Sequence, residues 1–190
     1  NKAYFDKKHN AIVACKSPFA AQHKETFNFF STTLPVKGFD CNKEAFLGRY
    51  NDIQSPEAPR KGACTNSHVR GQDMVGAFQS KITLKPGQSK EFVVTLGYFE
   101  KKRDYTRYIK KHNKVASAKK SLKEVKAYWK KRINGINVET PDSDFNTMVN
   151  IWGKYQLEAI THWRGTSQFH GVEGGLGYRD TAQDAEGLFA

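Results

Sequence analysis

Apolar and polar positions alternate over much of the first hundred residues, a period typical of half-buried β-strands. Residues 4–5 and 11–15 are short apolar runs separated by a polar turn, and residues 26–32 are rich in strand-forming Phe and Thr. Several short strands at this spacing predict a β-sandwich rather than a βαβ fold.

The clearest alternation lies in residues 78–84 and 92–98. Phe78, Ser80, Ile82 and Leu84 share one side of the first segment, and Phe92, Val94, Leu96 and Tyr98 share one side of the second. The residues between them include Pro86 and Gly87, which favour a turn. The pattern therefore predicts two antiparallel neighbours in one sheet.

Residues 38–50 have too many polar positions for a strand, and they continue into Pro56 and Pro59. A long ordered loop of this kind is often functional or interfacial. A surface loop anchored by Phe46 and Leu47 is the simpler interpretation, and we favour it.

From residue 101 the apolar period becomes that of helices. Helical spacing is kept by Tyr105, Tyr108, Ile109 and His112, and then by Leu122, Val125, Tyr128, Trp129 and Ile133. Ser121 and Glu124 have the spacing of a capping box, and Gly135 is placed to end the second helix. Residues 101–138 are therefore predicted to form a helical linker.

A third pattern begins at Asp142, whose side chain is placed to cap a helix. Apolar and aromatic residues then recur at a period near 3.6 from Phe145 to Trp163, before Arg164 ends the helix. Such a broad aromatic face is more typical of a core than of a site.

The net charge of +12 raises the question of a nucleic-acid partner. Much of it comes from residues 101–132, where the aromatic residues fall at helical spacing rather than as an exposed stacking array. A solvated helical face is therefore favoured, and no nucleic-acid partner is expected.

Cys15, Cys41 and Cys64 are odd in number and widely spaced, which fits neither a disulfide framework nor a metal site. The sequence thus predicts a protein of a reducing compartment, the cytoplasm. No apolar run approaches the roughly 18 residues of a membrane span, so no membrane partner is expected. The start at Asn1, with neither a signal peptide nor an initiator methionine, suggests a piece of a longer protein.

Residues 171–177 hold four glycines, so the backbone there bends sharply or is approached closely by another group. Arg179 and Asp180 follow at an expected helix start, with Gln183 and Asp184 behind them. Such groups can bind ligand hydroxyls or an oxyanion. A glycine-rich turn closed by an ordinary ion pair fits the spacing equally well, and Asp180 with Asp184 could also form a pair of catalytic carboxylates.

The order of these segments resembles glycoside hydrolase family 94, the sugar phosphorylases that include cellobiose, cellodextrin and chitobiose phosphorylases. The resemblance covers essentially the whole chain, and its segments are residues 39–40, 45–50, 84–87, 94–97, 152–156, Arg164 and residues 177–184. Its most specific part is the Arg-Asp-x-x-Gln-Asp sequence with the arginine upstream.

The resemblance implies a β-sandwich in residues 1–100, a helical linker in residues 101–138 and the start of an (α/α)6 barrel in residues 139–190, usually within a homodimer. It also implies inverting cleavage of a β-glucosidic bond by inorganic phosphate, which yields an α-sugar 1-phosphate. Because phosphate is the nucleophile, no second carboxylate has to activate water. No metal and no cofactor other than this phosphate co-substrate is expected.

By the same resemblance, Arg164, Arg179 and Asp180 match positions that recognise the sugar on the non-reducing side of the cleaved bond. Gln183 and Asp184 match supporting positions at the end of the motif.

Two departures from the family refine this expectation. Gly174 stands where the cellobiose and chitobiose enzymes have an arginine that helps to bind phosphate, and the Gly174-Gly175 pair looks more like cellodextrin phosphorylase. The general acid of the family is the Asp of a later Trp-Asn-Asp motif, which does not occur in this sequence. We therefore expect the general acid downstream of Ala190 and no activity from these residues alone.

Cellodextrins are thus the preferred substrates, with cellobiose or N,N'-diacetylchitobiose as alternatives within the family. A non-catalytic carbohydrate-binding β-sandwich module with a basic helical tail is the alternative of a different class.

Overall fold

The computed structural model describes residues 2–16, 25–163, 179, 182, 183 and 186. The chain divides into two units, Asn1–Ser121 and Leu122–Ala190. The first unit contains the strands β1 (Lys2–Asp6), β2 (Ala11–Lys16), β3 (Thr26–Thr32), β4 (Gly38–Asn42), β5 (Val69–Arg70), β6 (Met74–Gln79) and β7 (Val94–Phe99), with the helices α1 (Lys43–Leu47), α2 (Glu57–Lys61) and α3 (Lys102–His112). Helix α4 (Val115–Ile133) passes into the second unit, which continues with α5 (Ser143–Thr147), a π-helical segment (Met148–Gly153) and α6 (Lys154–Trp163).

The strands of the first unit form two antiparallel sheets. The larger sheet has the order β5-β1-β2-β3-β7, and the smaller one pairs β4 with β6. The first three strands occupy the segments that the alternating pattern predicts. The predicted antiparallel sandwich followed by helices is confirmed in the described residues.

Aromatic side chains fill the space between the two sheets. Phe5 of β1 stacks on Phe39 of β4 with ring centres 4.6 Å apart, and Phe30 of β3 stacks on Phe78 of β6 at 4.7 Å. These rings surround buried Ile12. The two sheets are therefore held together by an apolar layer, as in other sandwiches.

The other face of the larger sheet is covered by α3. Phe29 and Phe99 are buried against Tyr105, whose ring centre lies 4.7 Å from that of Phe99. The ring of Phe29 lies directly against Gly97, where a Cβ atom would collide with it. Glycine at this strand position thus makes room for the buried ring of Phe29.

A polar cluster joins the β1–β2 turn to α3. The carboxylate of Asp6 accepts a hydrogen bond from the Tyr105 hydroxyl at 3.1 Å, and its Oδ2 atom lies 2.7 Å from Nδ1 of His9. Burial would raise the pKa of Asp6, but the hydrogen bonds from His9 and Tyr105 outweigh it and the pKa is lowered. Asp6 therefore stays ionised and anchors the helix to the sheet.

The predicted pairing of residues 78–84 with residues 92–98 is wrong. Strand β6 ends at Gln79 and pairs with β4, whereas β7 begins at Val94 and pairs with β3. Both strands present apolar side chains at a period of two, so the period alone does not identify the partner. Contacts between segments distant in sequence decide which strands pair within each sheet.

Residues 38–50 are not a continuous loop, so the surface loop predicted for them from the sequence is wrong. They form β4 and α1, and Asn42 between them caps the helix by accepting a hydrogen bond from Ala45 N at 3.0 Å. The polar residues that appeared to break a strand have specific partners instead.

The helix boundaries are partly as predicted. Asp142 caps α5, since its Oδ1 atom accepts hydrogen bonds from the backbone N–H groups of Asp144 and Phe145 at 2.9 and 3.0 Å. Helix α4 starts at Val115, so Ser121 lies in its interior and the predicted capping box is wrong. The end of α4 before Gly135 agrees with the prediction.

Asp40 on β4 is fully buried and organises the segment that follows α2. Its Oδ1 atom accepts hydrogen bonds from the backbone N–H of Thr65 at 3.1 Å, and from the backbone N–H and the hydroxyl of Ser67 at 3.2 and 2.7 Å. Burial by itself would raise the pKa of this carboxyl, but the hydrogen bonds from Thr65 and Ser67 lower it below its ordinary value.

Asp40→Ala should destabilise the folded protein by about 3 kcal/mol, because it leaves several buried donors of Thr65 and Ser67 without their acceptor. Urea denaturation of the full-length protein measures this loss. Asp73→Ala is the matched control, since the Asp73 side chain is largely exposed and should change stability by at most about 0.5 kcal/mol. Equal stability of the two variants would contradict the role given to Asp40.

The acid limb of the stability profile gives a second measure of this carboxylate. Because the folded-state pKa of Asp40 lies below the ordinary value of 3.8, its contribution is complete above that value and is lost as the pH falls through the lowered one. Between about pH 5 and pH 2 the wild-type protein should therefore lose stability more steeply than Asp40→Asn. Parallel profiles would show that the carboxylate is not preferentially ionised in the fold.

Candidate functional site

The residues predicted to recognise a sugar fall near the end of the chain. Arg164, Asp180 and Asp184 lie outside the described residues. Arg179 and Gln183 are described, and both are helical and exposed. The helix that precedes Arg164 in the sequence is therefore the segment near the predicted site that the structure describes in detail.

That helix is α6, which is described as far as Trp163, the residue before Arg164. Glu158 is buried on α6, with 3% of its surface exposed. Its Oε1 atom accepts a hydrogen bond at 2.9 Å from Nε of Arg132, in the last turn of α4. This hydrogen bond, together with the charge of Glu158, raises the pKa of Arg132.

Two further contacts connect α6 with the end of α4. The rings of Trp129 and Tyr155 meet edge to face with their centres 4.9 Å apart. Nζ of Lys154 donates hydrogen bonds to the backbone carbonyl of Ile133, at 3.0 Å, and to that of Ile136. The carbonyl of Ile133 belongs to the last residue of α4, where a helix leaves carbonyl groups without partners within the helix.

A π-helical turn precedes α6, which the sequence period did not indicate. It covers Met148–Gly153, and a Cβ atom at Gly153 would lie only 3.1 Å from the carbonyl oxygen of Met148. Such turns add a residue to the helical repeat and often occur at functional sites. The extra residue changes which side chains of α5 and α6 share a face.

The aromatic face predicted from Phe145 to Trp163 is half exposed in its first part. Phe145, Met148, Ile151 and Trp152 expose between 50% and 56% of their surface. Within the described residues, the prediction of a core for this face therefore does not hold at these four positions.

The first unit offers a different polar feature beside α1. Two open pockets of about 390 and 470 Å³ lie there, and their shared lining is Asn42, Glu44, Gly48 and Arg49. Gly48 closes α1 with a φ of 86°, a conformation that favours glycine. The guanidinium of Arg49 lies 5.6 Å from the ring centre of Tyr50, which is 90% exposed. Charged groups beside an exposed ring can contact a polar ligand such as a sugar.

The described cysteines do not suggest nucleophilic chemistry. Burial is the larger cause, and the nearby negative charge of Asp40 the smaller one, that raises the pKa of Cys41 to about 12 and that of Cys64 to about 11. Both thiols therefore stay protonated at neutral pH.

No group of three or more His, Cys, Asp or Glu among the described residues could hold a metal ion. Within the same part of the chain, no helix is long and apolar enough to cross a membrane.

Two family models match the chain. The supersandwich domain of glycosyl hydrolase 94 matches residues 1–115, and the catalytic domain of the glycosyl hydrolase 94 superfamily matches residues 128–190.

Curated relatives agree with these matches. The N,N'-diacetylchitobiose phosphorylase of Vibrio proteolyticus is 34% identical over 163 residues, which are 85% of this chain and 20% of that protein. The enzyme of the same name from Vibrio furnissii is 33% identical, over 84% of this chain and 20% of its own length. The solabiose phosphorylase of Paenibacillus borealis is 30% identical over 92% of this chain and 22% of its own length. The chain thus spans about a fifth of the length of these relatives.

Proposed function

Because the chain belongs to glycoside hydrolase family 94, we propose that it is part of a sugar phosphorylase. Similarity to several phosphorylases, over more than four fifths of this chain in each, is the observation that supports the proposal. The enzyme cleaves a β-linked gluco-oligosaccharide with inorganic phosphate and releases α-glucose 1-phosphate and a shortened sugar. It is therefore a glycosyltransferase that acts as a phosphorylase.

The chemistry requires one acid and a positioned phosphate. An oxygen of phosphate attacks the anomeric carbon from the side opposite to the leaving group, so the configuration is inverted. The departing sugar oxygen takes a proton from a general acid, for which this chain provides no matching motif. These 190 residues by themselves are therefore proposed to be inactive.

The sugar on the non-reducing side is held by Arg164, Arg179 and Asp180. A carboxylate flanked by arginines stays ionised and accepts hydrogen bonds from sugar hydroxyls, while each guanidinium donates to them. Gln183 and Asp184 support this arrangement. Residues 139–190 form the start of an (α/α)6 barrel, in a cytoplasmic homodimer without metal or organic cofactor.

Cellodextrins are the proposed substrates. Gly174 stands where the cellobiose and chitobiose enzymes have an arginine that assists phosphate binding. This difference supports longer β-glucans as the substrates. Cellobiose and N,N'-diacetylchitobiose remain alternatives, and the names of the two Vibrio relatives favour the latter.

A carbohydrate-binding role of the sandwich is the second candidate, favoured by the pockets beside α1 and the exposed ring of Tyr50. Calorimetric titration of residues 1–121, the first compact unit, with cello-oligosaccharides separates the two proposals. Tight binding by this segment would favour the module, and its absence would favour the phosphorylase.

Release of α-glucose 1-phosphate from cello-oligosaccharides by the full-length protein should depend entirely on added phosphate, because phosphate is the nucleophile. The sugar 1-phosphate is measured with and without phosphate, using cellobiose, cellotriose and N,N'-diacetylchitobiose in parallel, the last of which would give N-acetylglucosamine 1-phosphate instead. Equal release of sugar without phosphate would show a hydrolase and contradict the proposal.

Asp180→Ala should reduce kcat/KM of the full-length enzyme by a factor that corresponds to roughly 2 to 4 kcal/mol, because a charged contact with the sugar is lost. Steady-state kinetics at saturating phosphate measures the effect. Glu139→Ala, which removes an exposed carboxylate from the same unit, is the control and should leave kcat/KM unchanged. Wild-type kinetics of Asp180→Ala would mean that Asp180 does not contact the substrate.

A further inference from the structure

The two sides of the sandwich end differently. On one side the larger sheet ends in β5, which has only two residues, and β4 is bonded to the segment after α2, since Cys41 N donates to the carbonyl oxygen of Ser67 at 3.0 Å. On the other side lie β6 and β7, each with a single neighbour among the described strands. We call this second side the open edge.

The strands of the open edge lack the features by which edge strands usually avoid new partners. Both are six residues long, and Met74–Gln79 and Val94–Phe99 contain neither a charged residue nor a proline. Exposed edges are commonly blunted by charges, by proline or by a very short strand, as β5 is on the opposite side. The sequence of β6 and β7 therefore permits pairing with a further strand.

The face of β7 that points towards the smaller sheet is apolar and uncovered. Leu96 lies opposite Phe30 in the register, so the two side chains share this face. Phe30 stacks on Phe78 of β6, whereas Leu96, one strand further out, is 78% exposed. Val94 and Tyr98 share the face with Leu96 and are about half exposed. The smaller sheet is thus one strand too narrow to cover β7.

The segment that joins β6 to β7 extends the apolar surface. Ile82 and Leu84 continue the alternate apolar positions of β6 in the sequence, Phe92 precedes those of β7, and each exposes between 38% and 52% of its surface. Residues 80–93 form no strand, although their sequence alternates as a strand does. Single exposed apolar residues are ordinary, but a contiguous apolar patch marks an interaction surface.

An open pocket of about 480 Å³ lies along β6, beside α1 and α2. Its lining includes the successive residues 76–80 and no residue of β4. Side chains of successive strand residues alternate between the two faces, so a cavity that touches all of them reaches the edge of the strand. Most of the other lining is apolar and includes Phe46, Ala58 and Pro59. A strand added to β6 would direct alternate side chains towards this pocket and towards Leu96.

We propose that a β-strand from the part of the full-length protein outside residues 1–190 pairs with β6 at the open edge. Its backbone groups bond to β6, one set of its side chains covers Leu96 and Tyr98, and the other set enters the pocket beside α2. This inference goes beyond the proposed function and does not depend on the reaction that the enzyme catalyses.

The source of this strand is the same polypeptide. The chain spans about a fifth of the length of its relatives, so a member of the family has ample further chain to supply a strand. The uncovered face continues the core between the two sheets, as a core does when it is cut open. A second copy that paired through its own β6 would bring Gly76 and Ala77, which are too small to fill the pocket or to cover Leu96.

Thiol labelling of the full-length protein tests whether the open edge is covered. Leu96→Cys should react with a maleimide about 100-fold more slowly in the native protein than in urea, as read from the masses of the labelled peptides. Ile53→Cys, at an 83% exposed position away from the open edge, is the matched control and should react within about tenfold of its rate in urea. Reaction of Leu96→Cys within the same tenfold range would overturn the proposal.

Photo-cross-linking of the full-length protein identifies what covers the open edge. Tyr98 is replaced by p-benzoylphenylalanine, an aromatic side chain that joins to neighbouring groups on irradiation, and the joined peptides are identified by mass spectrometry. We expect a cross-link to a peptide outside residues 1–190, in a product that keeps the size of one chain on a denaturing gel. The same replacement at Tyr50, which is 90% exposed, is the control and should not capture that peptide.

Two results of this experiment would overturn the proposal. A product of twice the size would show that a second copy covers the open edge, and cross-links confined to residues 1–190 would show that no further strand lies there. The labelling rate of Leu96→Cys, which removes volume rather than adding it, decides the question if the larger side chain at Tyr98 prevents folding.

Discussion

The larger sheet must be covered on both faces, and β3 carries the side chains that meet this constraint. Phe29 and Phe30 are neighbours in sequence and therefore point to opposite faces of the sheet. Phe29 packs against Tyr105 of α3, and Phe30 stacks on Phe78 of the smaller sheet. The first unit thus needs both a second sheet and the start of the helical region in order to bury the larger sheet. A shift of one residue in the register of β3 would exchange the faces to which the two rings point.

Buried carboxylates serve as organising points in both units. Asp40 is enclosed by hydrogen bonds from Thr65 and Ser67, and Glu158 accepts one from Arg132. Each of these groups would be costly in an apolar interior without its partners, so each one requires a specific arrangement of distant segments. Apolar packing gives most of the stability, whereas such polar contacts select one arrangement among several that pack equally well. In the second unit such contacts help to determine the position of α6.

Helix α6 ends directly before Arg164, the first of the predicted sugar-binding residues. Helix α6 is held by a buried charge, a ring pair and a lysine that satisfies two carbonyl groups. Residues 171–177, which contain four glycines, follow in the sequence and lie outside the described residues.

The periods of two and 3.6 in the sequence predicted the first strands and the helices α3, α4 and α5, because apolar positions recur at these periods along one side of a strand or helix. The motif around Arg179 and Asp180 indicated the family, which the comparisons confirm, while the roles of these two residues remain a prediction. Only the tertiary structure decided that β6 pairs with β4 and β7 with β3, that the polar residue Asp40 lies within a strand, and that Arg132 reaches Glu158. These features depend on contacts between segments far apart in the chain, where hydrogen bonding and packing outweigh local preference, and no local pattern encodes them.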